Sequence, residues 1–93
     1  MHRIVCYDIA NNRRRARFFK GLKRFLEPVQ RSVFEGPLPE RLLHRLHGLI
    51  ERELDPRADT VRLYSLCPRC AASIHEHGVP SDLLSSDGAF IIG

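Results

Sequence analysis

Asp8 is a lone acid set against a run of cations. The stretch IVCYDIANNRRRARFF places it at the end of an apolar run and follows it with Arg13, Arg14, Arg15 and Arg17. A guanidinium is the group that holds phosphate, so the run suits a polyanion, and a lone carboxylate at its mouth would repel one. Simpler roles compete for the same residues. Asp8 can cap the turn that follows it or pair with Arg14, and a charge run is most often a solvated helix face.

A second group lies near the C-terminus, where Cys67 and Cys70 form one CxxC and His75 and His77 follow. Four potential zinc ligands are close in sequence, but a His-x-His pair is not a usual zinc spacing and no second CxxC is present. We read these residues as packing in a turn, ahead of structural zinc or redox work. His44 and His47, three apart beside a leucine stripe, read as boundary residues and not as ligands or bases. Ser32 has no histidine at a predictable position near it, so it reads as a strand residue before a nucleophile. Phe34 reads as core or dimer packing before a base-stacking platform.

Length and charge narrow the classes. Ninety-three residues with 43% hydrophobic and 28% charged composition are those of one soluble domain, small enough to gain from self-association. No stretch approaches the ~20 apolar residues of a membrane span. No leader pattern is visible and the cysteine count is odd, so a reducing, cytoplasmic setting is expected. The net charge of +4 is unevenly placed: residues 1–31 carry nine Lys or Arg against Asp8 and Glu27, while the remainder is net acidic. A basic half of this kind points to nucleic acid.

The elements that must position these residues follow from periodicity. Residues 3–9 predict a strand buried on both faces or nearly so. Asn11 or Asn12 caps a helix whose apolar stripe is Ala16, Phe18, Phe19, Leu22, Phe25 and Leu26, opposite Arg13, Arg17, Lys20 and Arg24. Pro28 ends it. The segment from Val29 to Leu38 is one bent strand or a hairpin, with the bend placed at Gly36 and Pro37. Pro39 opens a second helix with the stripe Leu42, Leu43, Leu46, Leu49, Ile50 and Leu54. TVRLYSL alternates as a strand, Val61, Leu63 and Ser65 against Arg62, Tyr64 and Leu66. A loop-rich stretch follows, with a helical turn at Ala71 to His77, and AFIIG ends the chain as an edge strand. This order is the split βαβ plan of an α+β, ferredoxin-like βαββαβ fold: an antiparallel sheet with two helices on one face. Residues 1–66 form its core and residues 67–93 a tail of the same domain. The sheet's other face is either polar or covered by a second copy.

CYDI with an Arg-rich helix after it, then VQRSVFEG, then VRLYSLC resemble in order and spacing the small CRISPR-associated protein family Cas-two. The resemblance implies a ferredoxin-like homodimer, paired sheet against sheet and exchanging C-terminal strands. It implies a Mg²⁺-dependent endonuclease acting on RNA or DNA, and a partner of CRISPR integrase subunits in spacer acquisition. Carried over, the family's catalytic, metal-holding acid is Asp8, facing its counterpart across the two-fold axis, with Tyr7 beside it. Arg14 and Arg17 match the basic helix start, and Arg31, Ser32 and Phe34 match the second motif. With Arg13, Lys20 and Arg24 the basic residues make a nucleic-acid face. The neutral ANN after YDI departs from the acidic or hydroxyl residues common there. A non-catalytic DNA-holding scaffold and a toxin-like ribonuclease of the same fold are the alternatives.

Overall fold

The computed structural model describes residues 1–78. Strand β1 (His2–Asp8) turns Arg3, Val5 and Tyr7 into the core and leaves His2, Ile4, Cys6 and Asp8 on the other face. The expected burial on both faces is therefore corrected to one. Both helices pack on the Val5 and Tyr7 side, and nothing in the chain's described residues covers the opposite one.

Helix α1 (Asn12–Leu22) starts at Asn11, whose side chain accepts the Arg14 amide at 2.9 Å. Arg14, Phe18 and Leu22 lie four apart on its inner stripe. Ala16 falls two residues off that stripe and is exposed, which corrects its expected place in the core. The helix also stops at Leu22, so Arg24 belongs to the turn beyond it and not to the outer basic stripe.

Strands β2 (Glu27–Gln30) and β3 (Val33–Pro37) form the hairpin alternative, but its turn is Arg31–Ser32. Gly36 and Pro37 instead stay in register, opposite Arg3 and His2 of β1. Arg31 and Ser32 are thus turn residues, not the strand residues expected. A register shift between Pro28 and Gln30 accommodates a proline that has no N–H to give the ladder.

Helix α2 (Glu40–Glu53) begins one residue after Pro39, which occupies the cap position in place of the first helical one. It buries Leu46 and Leu49. Gly21 lets α1 come close to it, because a Cβ there would stand 2.8 Å from Leu49 Cδ1. Strand β4 (Thr60–Leu66) follows, and the short helix α3 (Pro68–Ala71) comes earlier than the turn expected at Ala71 to His77.

The sheet order is β2-β3-β1-β4 with every pairing antiparallel, so the chain has the ferredoxin-like α+β fold. Its core gathers Val5, Tyr7, Phe18, Leu22, Phe34, Leu38 and Leu46 between sheet and helices. Each large apolar side chain so buried contributes roughly 1.5–3 kcal/mol. Two charged residues are buried with them, Arg3 and Asp59. The Arg3 guanidinium donates to the Leu38 carbonyl at 3.1 Å, to Ser65 Oγ and to Glu40 Oε2, tying three segments at one end of the sheet. No helix among the described residues is long and apolar enough to cross a membrane. The expected terminal strand AFIIG lies outside the described residues.

Candidate metal and nucleic-acid site

Asp8 sits at the last position of β1, opposite Thr60 of β4, on the uncovered sheet face. Its side chain is exposed and makes no hydrogen bond or ion pair with any described residue. Neither simpler role holds, since Asn11 caps α1 and Arg14 pairs with another acid. The Tyr7 amide donates to the Ser32 carbonyl at 3.0 Å, which brings the Arg31–Ser32 turn beside this end of the strand. Arg62, opposite Cys6, adds a cation on the same face and donates to the Tyr64 hydroxyl at 3.2 Å.

One carboxylate is half of what a Mg²⁺ site asks for, since that ion takes one or two carboxylates, several waters and a substrate phosphate. No three His, Cys, Asp or Glu side chains converge among the described residues. Among the described residues Asp8 is unpartnered and faces solvent, open to groups from outside the chain.

The residues expected beside Asp8 are placed elsewhere. Tyr7 points to the helix side, edge-on to Phe18 with centroids 4.9 Å apart, and burial pushes its hydroxyl up to about 12 although Arg15 pulls the other way. It stays protonated at physiological pH and is no base. Phe34 is fully buried between the rings of Phe19, at 5.1 Å, and Tyr7, at 6.2 Å, with the sheet between it and the Asp8 face. Packing, not base stacking, accounts for it.

The arginine run divides. Nη2 of Arg14 donates to both Asp59 oxygens, at 3.0 and 2.8 Å, and Arg17 donates to Glu53 at 3.0 Å across to α2. Arg15 holds the Ile9 carbonyl and Asn12. Arg13, Lys20, Arg24 and Arg31 are exposed, with no ion pair to a described acid. The cations left to face solvent are thus Arg13 and Lys20 on the helix, and Arg24 and Arg31 in turns.

Asp59, which the sequence reading passed over, organises this corner. Its carboxylate has 0% exposure and accepts the Ala10 and Asp55 amides, both at 2.9 Å, as well as Arg14. It therefore ties the loop after Asp8 to the loop before β4. Burial alone would raise this carboxyl, but the two amides and the guanidinium outweigh it and hold the group below its ordinary value of 3.8. A lowered native value means that its stabilisation is complete above the unfolded value and is lost as pH falls through the native one. Asp59→Asn should be less stable than wild type at pH 7. The gap should close as unfolding is followed below about pH 4, the unfolded carboxyl value, by circular dichroism.

Cys67 and Cys70 are both exposed, so neither packs the turn as expected, and His75 and His77 do not join them in a cluster. His44 and His47 lie on the exposed side of α2. Arg62 was visible in the alternation of TVRLYSL, but only the register of β4 on β1 sets it near Asp8. Asp59 and Glu53 carried no local signal, since their partners are 45 and 36 residues away.

Fold and site together define a small basic ferredoxin-like protein with an open carboxylate on an uncovered sheet face. The family model described as CRISPR associated protein Cas2 matches residues 1–74, and the chain belongs to that family. It is 42% identical over 64 residues to the CRISPR-associated endoribonuclease Cas2 2 of Synechocystis, covering 68% of this chain and 69% of that protein. The crystal structure of the hypothetical protein TT1823 from Thermus thermophilus superposes with a TM-score of 0.76 at 37% identity, covering 85% of this chain and 92% of that one. A chain in a partial Cas6-RT-Cas1–Cas2 complex shares the fold, with a TM-score of 0.60 at 23% identity, over 81% and 88% of the two chains.

Proposed function

We propose that this chain acts as a dimeric, divalent-cation-dependent endonuclease of the CRISPR adaptation machinery, hydrolysing RNA or DNA phosphodiesters. The observation that carries the reading is Asp8: an exposed carboxylate, unpaired among the described residues, on a sheet face that those residues leave for a second copy to cover. Paired across a two-fold axis, two such carboxylates would hold a Mg²⁺ ion, which supplies Lewis acidity toward a phosphoryl oxygen. The chain's own cations do the remaining work by holding backbone phosphates on either side of the acids. Family membership and the fold shared with a chain of a Cas1–Cas2 complex support an integrase partner, with the dimer as bridge. Family membership supports this reading over the toxin-like one.

A cation titration tests the proposal. Purified protein should cleave labelled single-stranded RNA or DNA with Mg²⁺, lose that activity in EDTA and regain it when Mg²⁺ is restored. Tight binding without cleavage at any cation concentration would refute the enzyme and leave the scaffold role, which the absence of a second acid beside Asp8 in the ANN loop favours.

The division of the arginines gives a further expected result. Arg13 and Lys20 face solvent, so Arg13→Gln with Lys20→Gln should weaken duplex DNA binding at every sequence and flatten the salt slope by about 2, at ~0.9 per phosphate. Arg14→Gln with Arg17→Gln should flatten it less, because those charges already face Asp59 and Glu53. Affinities across a salt series separate the two pairs; equal flattening would mean that phosphate displaces the internal partners.

A further inference from the structure

We propose that Cys67 and Cys70 are a thiol–disulfide exchange pair, reactive toward small disulfides of the glutathione class and carried on the single turn of helix that follows the last core strand. This goes beyond the nuclease reading and does not depend on it. Burial would have made the two cysteines packing residues, yet both are exposed and neither is in a disulfide. The turn that carries them is fixed. Cys67 caps α3 with an extended backbone, Pro68 supplies a preset first helical residue, and the Cys67 carbonyl accepts the Ala71 amide at 2.9 Å. The Cys70 carbonyl accepts both the Ser73 amide, at 3.1 Å, and the Ser73 hydroxyl, at 2.8 Å. The cap residue and the third residue of the turn it opens are neighbours, and the Cys67 and Cys70 side chains lie within hydrogen-bonding reach of each other. Small side-chain rotations then bring two sulfurs together, since disulfides are built on Cα separations of roughly 4.4–6.8 Å.

The two thiols are not equivalent. The Cys67 thiol is drawn down by the Cys70 backbone amide and by the Cys70 side chain, whereas Cys70 is pushed up by its hydrogen bond to Cys67. Cys67 is the attacking sulfur and Cys70 the resolving one. Cys67 thiolate attacks one sulfur of a disulfide RSSR; the S–S bond breaks and RS⁻ leaves with the electron pair, giving a mixed disulfide on Cys67. Cys70 then gives up its proton and attacks the Cys67 sulfur, and the second RS⁻ leaves. The protein loses two electrons and two protons, and RSSR becomes two RSH. The closed form cross-links the turn directly after Leu66, whose strand position is set against His2. Glutathione-reducing conditions hold the pair open and an oxidising shift closes it.

The test uses the full chain, reduced and desalted. With limiting iodoacetamide near neutral pH, peptide masses should show Cys67 alkylated about tenfold faster than Cys70, as the thiolate is the reactive form. In glutathione buffers the oxidised product should be one intramolecular Cys67–Cys70 bond, with Cys6 still free to alkylate. Cys70→Ser should accumulate a stable glutathione adduct on Cys67, and Cys67→Ser should not form the corresponding adduct at a comparable rate. Equal alkylation of Cys67 and Cys70, a wild-type product that stops at the mixed disulfide, or a bond between two chains would each overturn the proposal. So would Zn²⁺ held through dialysis with both thiols protected, which would make the pair a metal site.

Discussion

Asp8→Asn should abolish cation-stimulated cleavage and leave the protein otherwise intact. The substitution keeps the shape of the side chain and removes the charge that a hard cation needs, and in the proposed dimer it does so in both protomers at once. A Lewis-acidic ion contributes several kcal/mol to the transition state, and each 1.36 kcal/mol is a factor of ten, so the rate should fall at least about 100-fold. Stability should move by no more than about 0.5 kcal/mol, because the carboxylate is exposed and makes no hydrogen bond or ion pair among the described residues that the amide would lose. Nucleic-acid affinity should hold or rise slightly as an acid facing the phosphates is removed. Single-turnover cleavage, thermal unfolding and a binding titration on the same preparation give the three readouts. Cleavage at the wild-type rate would place the metal site elsewhere.

Phe34→Ala should be among the most damaging single substitutions to the fold. The ring is fully buried and is contacted by Phe19 and Tyr7 on the helix side of the sheet, so truncation leaves a cavity between three elements. Phenylalanine-to-alanine changes in cores cost about 3–5 kcal/mol, a large share of the stability of a domain this size. Phe34→Leu should cost far less and keep nucleic-acid affinity near wild type. That pair of variants, compared by urea unfolding and by binding, separates a packing residue from a base-stacking one. A leucine variant that folds normally but loses affinity would restore the stacking role.

Periodicity carried most of the architecture. The helical stripes, the alternation of TVRLYSL and the asparagine cap are local signals, and each element forms over most of its signal, though α1 stops at Leu22, short of Phe25 and Leu26, and α2 at Glu53, short of Leu54. What failed were features decided at a distance. Gly36 and Pro37 read as a bend by composition, but pairing with β1 keeps them in a strand and moves the turn to Arg31–Ser32, which carries neither glycine nor proline. Ala16 read as core because it joins the apolar stripe at helical spacing, yet Arg14 holds the stripe position, drawn inward by Asp59. The site divides in the same way. The exposure of Asp8 was legible from its place at a strand end, whereas the pairing of Arg14 and Arg17 with acids 45 and 36 residues on was not.

The alternation of β1 makes the chain length before Asp8 a functional quantity. Val5 and Tyr7 are fixed to the core by the helices, and Asp8 reaches the open face only because it is an odd number of residues from each of them. A single-residue insertion between Tyr7 and Asp8 would turn the carboxylate toward Phe18 and the buried interior, with composition and net charge almost unchanged. Point substitutions on the open face leave this relation alone, so the acid's position tolerates changes of side chain there far better than changes of spacing. The Arg31–Ser32 turn is tied to β1 by the Tyr7 amide's bond to the Ser32 carbonyl but carries no such parity constraint, since its side chains line neither face of the sheet. Length variation in homologous chains should therefore collect in that turn and be excluded from the seven residues of β1.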